Sequence, residues 1–246
     1  MRENVIERWA KEKGRLHFTL IDPDKQTPKK AGELARLAES YGTNAIMIGG
    51  STAGSKVTDD CTKAVKESCN LPRILFPSQA AGVTKHADYL FFMMMMNSNS
   101  RRFLVGEQMK VAPFLKGLGI KPVPMGYIVV SRSVKPTTVE VVGDADRITG
   151  GDVDKAVAYA LTAQYFGMDC VYLEAGSGAE KPIPGEMVDA VKKAVNIPVI
   201  VGGGIRDGKT AGMISKAGAD VVVTGTIAER DPSKLEEIIR VVRGVR

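Results

Sequence analysis

The chain has 246 residues, 44% hydrophobic and 25% charged, with a formal charge of +6 from 34 basic and 28 acidic residues. That is enough chain to bury one full core without disulfides or a structural metal, and the usual size of one α/β barrel. The basic residues are scattered rather than clustered, which excludes a nucleic-acid arm, and no apolar run approaches the ~20 residues of a membrane span.

Three cysteines, Cys61, Cys69 and Cys170, stand without CxxC spacing, so neither a disulfide framework nor a zinc site is expected and a reducing cytoplasm is the natural setting. Met1–Gly14 is predicted as an amphipathic helix carrying Trp9; it lacks the apolar core of a secretory signal.

In chain order, a predicted strand over Leu16–Ile21 precedes a helix over Lys29–Ser40, and a strand over Ala45–Ile48 precedes a helix over Asp59–Ser68. Arg73–Phe76 leads only to Val83–His86, room for a single turn. Tyr89–Met94 precedes a helix over Arg101–Leu118. Val123–Val130 is followed by a long segment, Ser131–Gly151, and then a helix over Asp154–Phe166. The last three units pair Cys170–Glu174 with Gly185–Val195, Pro198–Val201 with Gly208–Lys216, and Val221–Thr224 with Ser233–Val242. Continuous apolar runs of this kind are parallel strands buried on both faces.

Eight βα units in one chain predict a (βα)8 TIM barrel, a single domain over residues 1–246. The rival, a doubly wound open sheet, wants a glycine fingerprint after its first strand. Here the first strand runs into Asp22-Pro23-Asp24-Lys25, and the glycine-rich loops follow strands six, seven and eight. Ser131–Gly151, with its Val139-Glu140-Val141-Val142, is expected as an elaborated loop or small hairpin above the barrel mouth.

Those three late loops are Tyr172 to Ala179, Gly202-Gly203-Gly204-Ile205-Arg206 and Thr224-Gly225-Thr226. A phosphate needs several converging N–H donors, and glycines let a backbone approach it closely. The hydroxyls of Ser177 and Thr226 can complete the shell. Glu174, at the end of strand six, can hold hydroxyls or act as a general base; the alternative is an ion pair with Arg206 or a rim lysine. Tyr172 either lines the pocket or packs in the barrel. Opposite, Asp22 and the Ser51 hydroxyl offer hard oxygen ligands for magnesium, although Asp-Pro-Asp is also a common turn. Phe92, Met94, Met96 and Tyr127 offer soft surface for a hydrocarbon, the alternative being a buried strand filled with methionine. His17 and His86 read as structural.

Seven stretches resemble the geranylgeranylglyceryl phosphate synthases, a family that includes heptaprenylglyceryl phosphate synthases. They are Thr19–Lys25, Ile48–Thr52, Phe91–Ser98, Gly126–Ser131, Tyr172–Gly178, Val201–Arg206 and Thr224–Ala228, in family order over nearly the whole chain. The resemblance implies a phosphoglycerol geranylgeranyltransferase that joins a long prenyl diphosphate to sn-glycerol 1-phosphate. It implies magnesium at Asp22 and Ser51. It implies glycerol phosphate at Tyr172, Leu173, Glu174, Ala175, Gly176, Ser177, Gly178, Gly203, Gly204, Gly225 and Thr226, with Glu174 activating the glycerol hydroxyl. Part of the family has a phosphate-binding lysine where this chain has Leu20, so that contact is not carried over. The Tyr172–Gly178 form is similar to the larger archaeal-type branch, which implies a dimer-based homo-oligomer, up to a hexamer. No nucleic acid and at most a transient membrane-surface contact are expected. Two other readings stand beside this one: a sugar-phosphate isomerase on the same barrel, and a non-catalytic lipid-phosphate binding barrel.

Overall fold

The apolar runs form strands because both faces of each are covered, one by the barrel interior and one by helices. The structure, a computed structural model, describes residues 3–50 and 54–245. Eight parallel strands close in chain order: β1 Leu16–Ile21, β2 Ala45–Ile48, β3 Arg73–Leu75, β4 Tyr89–Met95, β5 Lys121–Val129, β6 Cys170–Glu174, β7 Val199–Gly202 and β8 Val221–Thr224. The last strand pairs back onto the first, Leu16 opposite Val221.

The helices are α1 Val5–Lys13, α2 Pro28–Tyr41, α3 Ser55–Ser68, α4 Glu107–Leu118, α5 Thr138–Val142, α6 Val153–Tyr165, α7 Gly185–Ala194, α8 Gly208–Lys216, α9 Thr226–Arg230 and α10 Pro232–Gly244. Their borders follow from local chemistry. The Thr27 hydroxyl accepts from the Lys30 amide ahead of Pro28, and Gly42 ends α2 in the left-handed region. Asp207 caps α8 through the Thr210 amide, and Asp231 caps α10 through the amides of Ser233 and Lys234. Among the described residues no helix is long and apolar enough to cross a membrane.

Inside the barrel, Phe18, Met47, Ile74, Phe91, Met125, Tyr172 and Ile200 pack on one another, and Val5, Ile6 and Trp9 of α1 join the same cluster. Trp9 meets Phe18 and Tyr89 edge-on, with ring centroids 6.2 and 5.3 Å apart. Asn4 donates to the Asp169 carbonyl at 2.6 Å, so α1 plugs the N-terminal end of the barrel. His17 is fully buried between the hydroxyls of Thr43 and Thr224, and burial lowers its pKa to about 3. His86 lies 3.8 Å from Asp59, on the outer side of the barrel.

Four segments depart from the sequence expectation. No helix follows β3; the connection holds a 3-10 turn at Ala80–Gly82 rather than at Val83–His86. The expected helix over Arg101–Leu118 opens with a π-helical turn, Arg102–Gly106, before α4. Val139–Val142 belongs to a short helix, α5, and not to a hairpin. The Thr137 side chain and the Glu140 carboxylate satisfy each other's backbone amides in a capping box, and that local closure overrides the β preference of the valines. Finally, Thr226–Arg230 forms α9 directly after β8, where a loop was expected.

Ile6 has no exposed surface. Ile6→Ala is therefore expected to lower unfolding stability by about 2–5 kcal/mol. Urea denaturation followed through Trp9, the one tryptophan of the chain, measures it; a loss near zero would show that the α1 plug contributes nothing.

Candidate functional site

The C-terminal ends of parallel barrel strands converge on one mouth. Here they enclose a cavity of about 300 Å3 whose lining includes Leu20, Asp22, Gly50, Phe76, Tyr127, Tyr172, Glu174, Ser177, Gly203, Gly225 and Thr226. Strand β6 brings Tyr172 and Glu174 to the same face because side chains alternate along a strand. Leu173 and Ala175 consequently point the other way, into the apolar layer beneath α6 and α7. Only their backbone could serve a ligand.

Glu174 is 6% exposed. It does not pair with Arg206, whose guanidinium instead donates to the carbonyls of Ala179 and Glu180 and braces the loop. The Glu174 Oε1 atom accepts from the Gly176 amide at 2.6 Å, and the hydroxyls of Tyr127 and Tyr172 also donate to the carboxylate. Burial raises its pKa above the ordinary value, while these three donors act in the opposite direction. Burial, aided by the Glu174 charge, pushes both tyrosines well above their usual value, so they remain protonated donors. Their rings stand 5.4 Å apart, and Phe76 packs edge-on against each at 5.5 Å.

Gly203 shows why this loop is glycine-rich. Its φ is 85°, and a Cβ there would come within 2.7 Å of the Glu174 carboxylate and 2.8 Å of the Gly176 nitrogen. Gly204 follows, also in the left-handed region. After the neighbouring strand β8, Gly225 precedes the first turn of α9 with Thr226 at its start. Ser177, Gly178, Gly203, Gly204, Gly225 and Thr226 all line the same cavity, whereas Gly176 is turned inward to Glu174.

Asp22 lies on the far side, its carboxylate 2.9 Å from Lys25 and accepting from the Asp24 amide. Ser51, the second expected metal position, lies outside the described residues. Among those residues no group of three or more His, Cys, Asp or Glu could hold a metal by itself.

A second cavity opens where the helix after β3 is missing. Apolar side chains from both faces of β4, Leu90, Phe91, Phe92, Met93 and Met95, line it together with Phe103 and Val111. Tyr127 belongs to it as well; Met94 and Met96 do not. They pack into the layer around Ile128 and Ala163 on the other flank of β4, so of the expected hydrocarbon surface the groove takes Phe92 and Tyr127. The odd-numbered Phe91, Met93 and Met95, which also line it, are the inward face of β4 by strand alternation. The polar cavity and the apolar groove share Ser78, Met93, Tyr127 and Val139. They meet beside the tyrosine that donates to Glu174.

The PcrB family model matches residues 7–243 of this chain. The chain is 48% identical over 240 residues to the geranylgeranylglyceryl phosphate synthase of Thermococcus kodakarensis, covering 95% of this chain and 94% of that one. It is 49% identical over 233 residues to the enzyme of that name from Pyrococcus abyssi, covering 92% and 91%. Among solved structures, the (S)-3-O-geranylgeranylglyceryl phosphate synthase of Thermoplasma acidophilum, in complex with substrate sn-glycerol-1-phosphate, superposes with a TM-score of 0.93 at 39% identity, covering 99% and 100%.

Tyr127→Phe removes one donor to the Glu174 carboxylate. Donation favours the ionised form, so its loss should move the already raised pKa of Glu174 further up. Isotope-edited carbon NMR titration of the glutamate carboxyls reads this; a lowered value would contradict the arrangement.

Proposed function

The chain belongs to the PcrB family, and from that premise we infer that it is a prenyltransferase acting on sn-glycerol 1-phosphate. It joins geranylgeranyl diphosphate, or a similar long prenyl diphosphate, to the 3-hydroxyl through an ether bond and releases diphosphate. This is the first ether-linking step of archaeal-type membrane lipid synthesis. The observation that carries the reading is the junction itself: a glycine-lined polar cavity and an apolar groove meet at Tyr127, beside a buried carboxylate. A sugar-phosphate isomerase has no use for such a groove, and a mere carrier has no use for the buried base.

The phosphate of glycerol phosphate is held by the amides around Gly203, Gly204 and Gly225 and by the hydroxyls of Ser177 and Thr226. Fixing that end sets the free 3-hydroxyl near Glu174, so binding contributes orientation. The C1–O bond of the prenyl diphosphate breaks as the hydroxyl oxygen bonds to C1, and the hydroxyl proton passes to Glu174. The raised pKa of Glu174 makes it a stronger base than an exposed carboxylate. The Gly176 amide keeps the charged form accessible.

Asp22, a hard oxygen donor at the mouth, fits a magnesium ion that takes most of its ligands from a diphosphate. Ser51 would be the second protein ligand. Held by these two residues, magnesium would supply the positive charge that offsets a departing diphosphate. A cytoplasmic setting and a dimer-based homo-oligomer complete the reading; three free, buried cysteines accord with a reducing compartment.

The test is to incubate the protein with prenyl diphosphates from farnesyl to heptaprenyl and with each glycerol phosphate enantiomer, and to identify the product by mass spectrometry. The ether of sn-glycerol 1-phosphate is expected; an isomerised sugar phosphate from an aminosugar phosphate substrate, with no ether, would overturn the proposal. Glu174→Gln should slow turnover about 10²–10⁴-fold while calorimetry shows glycerol phosphate binding nearly intact. Asp22→Asn should raise the magnesium concentration needed for half-maximal rate, and an unaltered magnesium titration would remove Asp22 as a ligand.

A further inference from the structure

A surface helix normally buries one apolar face and shows a polar one to water; a helix apolar all round is covered on every side. Helix α4 breaks this pattern. Val111 and Leu115 are buried, yet on its outer side Met109 is 59% exposed, Phe114 67% and Leu118 38%, with Pro113 and Ala112 also exposed among them. Val105, in the π-helical turn just before, is 43% exposed.

The charges around this surface are net positive. Residues 101–118 carry four basic side chains, Arg101, Arg102, Lys110 and Lys116, all exposed, against one acid. That acid, Glu107, is turned inward, where it accepts from Arg102 at 2.7 Å, Lys110 at 3.0 Å and the Ala80 amide at 2.9 Å. Arg102 also lies over the Phe103 ring, 5.0 Å from its centroid. Lysine and arginine stems lie along apolar surface while their charges reach outward.

We propose that α4 and the π-helical turn before it form a docking face for the surface of an anionic lipid bilayer. Met109 and Phe114 enter the headgroup boundary, and Arg101, Arg102, Lys110 and Lys116 meet the lipid phosphates. Two observations favour this occupant over a second copy of the chain. A two-fold contact would set this net positive face, four cations against the one acid Glu107, against its own image. The inner side of the same helix, through Val111, Gln108 and the adjoining Phe103, also walls the apolar groove. A bilayer held against the outer side therefore lies next to the channel that takes hydrocarbon. The inference rests on the prenyl-transfer reading for its purpose and on the exposed face for its substance.

The experiment is co-sedimentation of the full-length protein with two kinds of vesicle: phosphatidylglycerol and phosphatidylcholine in equal parts, and phosphatidylcholine alone. Binding to the anionic vesicles, weak binding to the neutral ones and release by high salt are expected. The double variant M109S/F114S should bind about tenfold less or weaker still, and K110Q/K116Q should lose the preference for anionic lipid. Turnover with detergent-dispersed substrates should remain as in the unaltered protein, since none of these side chains lines either cavity. Equal binding by the double variant, or no vesicle binding at all, would overturn the proposal. So would M109S/F114S halving the solution mass by light scattering, which would assign the face to a second copy. Absence of prenyl transfer by the unaltered protein, with vesicle binding kept, would instead strike the functional reading.

Discussion

Everything at the barrel mouth is arranged around a carboxylate that ought not to be buried. Withdrawing an ionised glutamate from water costs several kcal/mol unless hydrogen bonds compensate. Glu174 finds that compensation in one backbone amide and two phenol hydroxyls. Each donor imposes a further condition. The Gly176 amide turns inward only in a left-handed conformation, and a side chain on that residue would strike Thr137. Thr137 is the cap of α5, whose Glu140 also binds Ser131 at the end of β5. The two tyrosines need Phe76 to fix their rings, and Gly203 must lack a side chain for the carboxylate to fit. A single buried charge thus couples strands β3, β5, β6 and β7 to the loop above them.

The apolar groove has the opposite origin. A complete eightfold barrel would cover the outer face of β3 and β4 with a helix, as it covers the others. Here a three-residue turn stands in that place, so Phe92 is left half-buried and walls the groove together with the buried Leu90. Exposure is limited because α4 leans in with Val111 and because Gln108 donates to the carbonyls of Met93 and Phe103 across the gap. The segment from Val83 to His86 offers too little chain for a helix, and that shortage was readable in the sequence.

Most of the barrel was legible because parallel strands buried on both faces leave a simple trace, a short apolar run bounded by polar or glycine-rich residues. The glycine loops after β6, β7 and β8 were legible for a related reason: only glycine tolerates the backbone at Gly203 and Gly204. What escaped depended on partners distant in sequence. Val139–Val142 has a strand's composition, and its helix exists through the Thr137–Glu140 box. The composition of the methionine run does not say which flank of β4 is open. Alternation separates Met93 and Met95 from Met94 and Met96, but only the missing helix decides where the open surface lies. Tyr127 and Phe92 both line the apolar groove, and the donation from Tyr127 to Glu174 required β5 and β6 to be set side by side.

The same geometry bears on hydrocarbon selectivity. Each additional buried CH2 is worth only about 0.8 kcal/mol, and flexible methionine surface yields to chains of different length. On the proposed function, a groove of Leu90, Phe92, Met93 and Phe103 would attract long chains without measuring them. Discrimination has to come from a wall the chain cannot pass, placed at a fixed distance from the point where C1 reacts. The reacting end is fixed by rigid parts, since Tyr127 and Glu174 sit on adjacent strands in the barrel core. The 3-10 turn and α4 wall the groove through Ala80, Val83 and Val111. On the proposed function, length preference would be set by side chains of the groove itself, and could change without disturbing the Glu174 carboxylate.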